Sequence, residues 1–209
     1  MTEKASVYQP TYDGLRVRLA GLALDDLVRN SGGSRIDGAH IGLRCVGRDY
    51  VIGHPDGIVL HADGSAPELG TAILLLLYLL EATGRPSEDR WVSFEQLPGG
   101  AGYMSSFRGR VIGPVLRTFG ANPEALAAVA EALDGTSLGL GDVGVRLPAL
   151  PRVPIAYVMW KGDDDFAPSA SVVFDASVQG YLDAEVLTVL AELATRRLVA
   201  PDDPIKSKE

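Results

Sequence analysis

The chain has 209 residues, 46% of them hydrophobic and 22% charged, so it is long enough to bury a globular core without disulfide or metal staples. Its formal charge of −8, with no offsetting Lys/Arg run, disfavours nucleic acid as a partner. The single cysteine, Cys45, excludes an internal disulfide and a cysteine-ligated zinc or iron–sulfur site, and reads as a reduced thiol buried in a cytoplasmic protein.

The opening MTEKASVYQP has neither an apolar core nor a cleavage signature, so no secretory signal is expected. Leu15, Leu19, Leu22 and Leu27 follow a helical period and predict one helix over 11–29, stopped by NSGG at 30–33. HIGLRCV, DYVIGH and GIVLH, between 39 and 62, predict a three-stranded meander whose last turn is PDG. A helix over 66–83 follows. Ser65 and Glu68 have capping-box spacing at its start, and Gly84 with Pro86 marks its end. Its AILLLLYLL core is too short to cross a bilayer and apolar on all sides, which predicts a buried central helix.

RWVSFEQL (90–97) reads as extended. PGGAG then opens a helix over 103–119, with a kink near 110–113 because Pro114 lacks an N–H for the helical ladder. Asn122–Pro123–Glu124 starts a helix over 123–133, with Asn122 as cap. Strands are expected at 142–147, 153–160 and 170–175, and a last helix at 183–198 capped by Asp183. The pattern gives an α+β fold: antiparallel sheets, a buried central helix at 66–83 and flanking helices. It forms one domain over 1–200 with a disordered tail at 201–209.

Two stretches carry candidate chemistry. In WKGDDDF, Asp163 and Asp165 can share one side of an extended chain, and Asp175 at the end of the next strand can join them. With Asp183 and Glu185 nearby, these carboxylates suit a hard cation such as Mg²⁺ or Ca²⁺, or acid–base work. They also suit a solvated turn followed by helix caps. The second stretch is LPGGAGYMSSFRGR. A glycine turn before a helix offers backbone N–H groups to an anion, and Arg108 and Arg110 could add charged hydrogen bonds. The spacing is neither a phosphate-loop nor a dinucleotide fingerprint, and a tight loop with a capped helix fits it equally.

His54 and His61 flank the PDG turn but fall out of register with each other, and His40 is a lone strand residue, so no two-histidine metal site is expected. The serines lie in no nucleophile elbow. The aromatic residues gather in the second half, placing an expected pocket between 91–110 and 160–185. Trp91, Tyr103 and Trp160 are its walls, Gly99 and Gly100 its turn, and Asp164, Asp165 and Asp175 its acceptors.

LLLLYLLEATGRP, RWVSFEQLPGGAGYMSSFRGR, LPRVPIAYVMWKGDDDF and VVFDASVQGYLDAE together resemble the bacterial and archaeal family known as domain of unknown function 3786. The resemblance spans roughly 10–198. It rests on Trp91, Phe94, Gly99, Gly100, Tyr103, Trp160, Gly162, Asp164, Asp165, Phe166, Phe174, Asp175, Tyr181 and Glu185. It implies an anaerobic setting and work beside corrinoid or iron–sulfur proteins, since some similar proteins resemble fusions to a cysteine-rich module. This chain lacks those cysteines, so no cluster role carries over. Where relatives have a further acid after the last Glu, this chain has Val186, which weakens a metal site there.

Three functions follow as expectations. The first is a cytoplasmic module that binds a small ligand or a metalloprotein partner, with no membrane or nucleic acid involved. The second is a Mg²⁺-dependent phosphoryl-transfer or hydrolytic enzyme using Asp163, Asp165 and Asp175. The third is an adaptor with an exposed apolar patch and no pocket.

Overall fold

The computed structural model describes residues 3–201, so all but the first residue of the tail expected at 201–209 lies outside the described residues. The fold is α+β, with two antiparallel sheets. The first sheet runs β1 (Ser34–Arg35), β2 (His40–Cys45), β3 (Arg48–Gly53) and β4 (Val59–His61) in that order. The second has the order β5-β9-β8-β7-β6. Its strands are β5 (Trp91–Ser93), β6 (Thr136–Ser137), β7 (Val143–Leu150), β8 (Val153–Trp160) and β9 (Ser169–Asp175). β8 is its central strand and is buried from Val153 to Met159.

The meander forms as its pattern predicts, with the short β1 added at its edge. Val46 and Gly47 both have positive φ, the signature of the tight hairpin turn that matches strand twist. Gly47 is needed twice, because a Cβ there would also run into Leu133. The same turn joins the two sheets: the Val46 N–H donates to the Ala149 carbonyl on β7 at 2.9 Å.

The central helix is α3 (Leu69–Glu81), shorter at its start than expected. No side chain caps it, and the Ser65–Glu68 box does not form. Ser65 is captured by Asp63, which accepts from its N–H and its hydroxyl. α3 packs on α1 (Glu3–Ala20), α2 (Leu24–Ser31), β4 and α7 (Ala184–Val199). The single helix expected over 11–29 is therefore two. The chain turns at Gly21 and Leu22, whose N–H groups reach back only to Arg18 and Leu19. Leu22 is exposed, whereas Leu15, Leu19 and Leu27 enter the core.

The kink expected at Pro114 is one wider turn at 108–112, between α4 (Gly100–Phe107) and α5 (Gly113–Phe119). α6 (Glu124–Glu131) begins without the predicted Asn122 side-chain cap. The 90–97 segment is a strand only to Ser93, after which 94–96 coils and Gln96 Oε1 accepts from the Ser93 N–H. Asp183 caps α7 as expected, accepting from the Val186 N–H at 2.9 Å. Among the described residues no helix is long and apolar enough to cross a membrane.

One buried hydroxyl ties these parts together. Tyr78 of α3 donates to the Ser31 carbonyl at the end of α2, and accepts from the Arg152 N–H in the β7–β8 turn. Tyr78→Phe would leave both backbone groups short of a partner. A buried unsatisfied group costs roughly 1–3 kcal/mol, so a stability loss of that size is expected in urea unfolding.

Candidate functional site

The two candidate stretches lie far apart. The acidic loop 161–168 connects β8 to the start of β9, whereas Asp175 ends β9. Six residue steps of strand separate Ser169 from Asp175, about 20 Å. Asp163, Asp165 and Asp175 therefore cannot share an ion, and among the described residues no three His, Cys, Asp or Glu side chains converge for a metal. The expected pocket joining the glycine turn to the acidic stretch does not form. Trp160 pairs with Ser169 at one end of the sheet, and Trp91 pairs with Asp175 at the other.

The acidic stretch is a closed turn. Asp163 Oδ1 accepts from the Asp165 and Phe166 N–H groups, and the Asp163 N–H donates to the Phe166 carbonyl. Gly162 is needed there, because a Cβ would meet the Pro168 nitrogen at 2.8 Å. Asp164 and Asp165 face solvent.

Asp175 is fully buried and has a structural task. Its carboxylate accepts from the Ser87 hydroxyl and from the Glu88 and Ser177 N–H groups, at 2.8–3.0 Å. Burial alone would raise its pKa, but these hydrogen bonds outweigh it and hold the carboxyl down at about 2. Asp175 thus fastens the 85–90 segment to the end of β9 and is closed to a ligand.

The glycine turn supports packing. Gly99 has φ +80, and a Cβ on Gly100 would lie 1.9 Å from the Phe94 carbonyl oxygen, so only glycine permits this approach. The Gly100 and Gly102 N–H groups donate to the Leu97 and Gly99 carbonyls. Arg110 is held by Ser106 and by Glu192 of α7. Arg108 lies eight residues along from Gly100, about 12 Å from the helix start. Neither arginine completes an anion site at the turn. Tyr103 instead donates to Glu185 at 3.0 Å, which raises its own pKa and ties α4 to the start of α7. The histidines stay apart: His61 stacks on Tyr50, His54 reaches the Leu22 carbonyl, and His40 meets Asp37. Cys45 is buried, and burial pushes its thiol up to about 12.

A cleft of about 520 Å³ opens beside the glycine turn. Leu77 and Glu81 come from the end of α3 and Thr83 from just beyond it, Leu97 and Pro98 from the turn, and residues 179–184, Val186 and Leu187 from the approach to α7 and its first turn. The floor is apolar: Leu77, Leu97, Leu182, Val186 and Leu187. Its charged groups are Glu81, which meets Arg18 at 2.8 Å, and Asp183. The N–H end of α7 is already occupied by the Asp183 cap, so the helix start does not call for an anion. Gly180 lets the walls meet, since a Cβ there would be 2.8 Å from the Thr83 hydroxyl. Tyr181 leans on Tyr78 with ring centroids 5.9 Å apart and donates to the Arg85 carbonyl.

None of the ligand-binding residues expected from sequence lines this cleft. Gly99 and Gly100 adjoin it, and Tyr103 borders it through Glu185. Sequence reasoning missed Glu81, Thr83, Leu97, Pro98 and Gln179. The available signal was that three of the four resembling segments contain a turn, at Gly84, Pro98–Gly99 and Gly180, and Thr83, Pro98 and Gly180 from these turns meet here.

The chain belongs to the family described as domain of unknown function 3786, whose model matches residues 23–197. No curated protein and no solved structure matches it.

Two outcomes follow. Because the native Asp175 pKa lies below its unfolded value, its contribution is complete above about pH 4 and is lost as pH falls toward 2. Asp175→Asn should cost about 2 kcal/mol at pH 7, and its melting curve should converge on wild type as pH drops to 2. Mg²⁺ and Ca²⁺ should leave the melting temperature unchanged in wild type and in Asp165→Asn. Asp163→Ala should melt slightly lower in any buffer, since the Asp165 and Phe166 N–H groups lose their acceptor.

Proposed function

We propose, with this family membership as premise, that the protein is a cytoplasmic binding module. Its cleft at the start of α7 takes a small molecule with an apolar body and a cationic end. The observation that carries this reading is the convergence of three resembling segments, drawn from residues 77–83, 97–98 and 179–187, on one concave surface. A volume of about 520 Å³ is that of a small-molecule site, and such sites combine an apolar lining with a few polar groups. The charge sign selects the ligand: Glu81 and Asp183 line the cleft, Glu185 stands beside it, and the chain carries −8 overall. The buried Cys45 thiol suits the reducing cytoplasm.

A second reading, the adaptor, is favoured by one observation. At the β8–β9 end Trp160 is 42% exposed and Phe166 74%, among the three carboxylates of the acidic turn. That surface suits an apolar, basic face of a partner protein.

The test uses octylammonium as probe, with octanoate and octanol as controls, followed by backbone resonances of ¹⁵N-labelled protein. Octylammonium should shift Leu97, Gly99 and residues 181–187, and octanoate should not. Asp183→Asn keeps a capping side chain but removes the charge, so it should narrow the preference for the cation over the alcohol. Val186→Gln should weaken all three. Shifts confined to Trp160 and Phe166, or equal shifts with octanoate, would sink the cleft reading.

A further inference from the structure

At its other end α7 carries a buried guanidinium that meets no carboxylate among the described residues. Arg197 is 6% exposed. Among the described residues its Nη2 donates to the neutral Tyr50 hydroxyl alone, at 3.3 Å, and its buried Nε has no acceptor. A desolvated charge without a partner is costly, so its surroundings are informative.

Those surroundings are cationic. Tyr50 of β3 lies across from His61 of β4, ring centroids 4.9 Å apart. Arg48 is two residues before Tyr50, so the pleat sends both side chains to the same face. Arg48 belongs to none of the described ion pairs, although Arg44 on the opposite face is shared by Asp49 and Asp134. The acid nearest His61 in sequence, Asp63, is committed to Ser65 through its N–H and its hydroxyl. Burial first, then the Arg48 charge and more weakly the Arg197 charge, make protonation of His61 harder, and outweigh the Asp63 charge, which eases it. Arg48 and His61 are half-exposed, so the group opens to solvent on their side.

We infer that Arg197, Arg48, His61 and the Tyr50 hydroxyl form a binding site for a phosphate group, separate from the cleft and about 20 Å from it along α7. Two guanidiniums exceed what one carboxylate would neutralise and match a dianion, and the neutral imidazole and the phenol add hydrogen-bonding groups. Guanidinium donors also fit the oxygens of a phosphate. The phosphate can be free, or the end of a monoester whose remainder leaves past Arg48.

The experiment titrates inorganic phosphate, phenyl phosphate and acetate into the full chain at constant ionic strength set with sodium chloride, read by melting temperature and by calorimetry. Phosphate should raise the melting temperature in proportion to the logarithm of its concentration above the dissociation constant, and acetate should not. Arg48→Gln, at a half-exposed position, should fold normally and bind phosphate roughly tenfold more weakly, the size of one lost charged hydrogen bond. Arg197→Met should melt no lower than wild type in chloride, because it removes an unpaired buried charge, and should show no phosphate effect. Tighter binding of phenyl phosphate would identify a monoester, and equal or weaker binding the free ion. The inference fails if phosphate does nothing beyond chloride, or if Arg48→Gln binds it as wild type does. An Arg197→Met protein that melts far lower in chloride would overturn it too, by making Arg197 a structural residue.

Discussion

α3 presents apolar side chains around its whole circumference, and water must be kept from every side of it. α1 and α2 cover it from the N-terminal part of the chain, β4 meets it from the first sheet, and α7 meets it from the last segment. A helix enclosed this fully can hold a polar group only if that group is satisfied, and Tyr78 is: its hydroxyl joins the end of α2 to the β7–β8 turn. The enclosure thins along one face, where Ile73, Leu77 and Leu80 are partly buried, and ends with α3. Leu77 still shows an apolar surface, Glu81 is already paired with Arg18 in solvent, and the cleft lies in the gap between them. The cleft is thus the unfilled end of the packing problem that α3 sets.

What was legible in the sequence was what is decided locally. The hairpins, β8, β9, the Asp183 cap and the wide turn before Pro114 each follow from a few adjacent residues. The failures have competing local causes. Leu22 fits the helical period, but the chain turns at Gly21 and exposes it. Ser65 has capping-box spacing to Glu68, but Asp63, two residues earlier, takes its hydroxyl first. Asn and Ser side chains have several backbone partners within reach, and spacing alone does not rank them.

The site was less legible because its geometry is tertiary. Asp163 and Asp175 are close in sequence, yet an intervening strand is rigid and extended, so closeness in number becomes distance in space. Asp163 stands in an acidic run of the kind that marks metal centres, and Asp175 is the next acid along the chain after it. The Asp163 carboxylate is consumed by the backbone N–H groups of its own turn, and that of Asp175 by Ser177 beside it and by Ser87 and Glu88 from the 85–90 segment. The cleft has the opposite character: Leu77, Pro98 and Asp183 are scattered along the chain, and only the folding of three turns against one another brings them together.

α7 gives these observations a common axis. Acids stand at its start, where Asp183 and Glu185 face the positive end of the helix dipole, and Arg196 and Arg197 stand in its last turn near the negative end. This ordering is what an isolated helix prefers, and it explains how a guanidinium can be buried with a phenol as its one partner among the described residues: the last-turn carbonyls supply part of the missing negative potential. They do not supply an acceptor for the Arg197 Nε. The same element therefore ends in two surfaces of opposite demand, an acid-rimmed apolar cleft and a cationic group on the first sheet. They are too far apart to screen or compete with each other across a Debye length of about 8 Å at physiological salt. Whatever occupies one end leaves the electrostatics of the other intact, so coupling between the two would have to pass through the packing of α7 against α3 and β8, where Tyr157 holds the helix through Thr195.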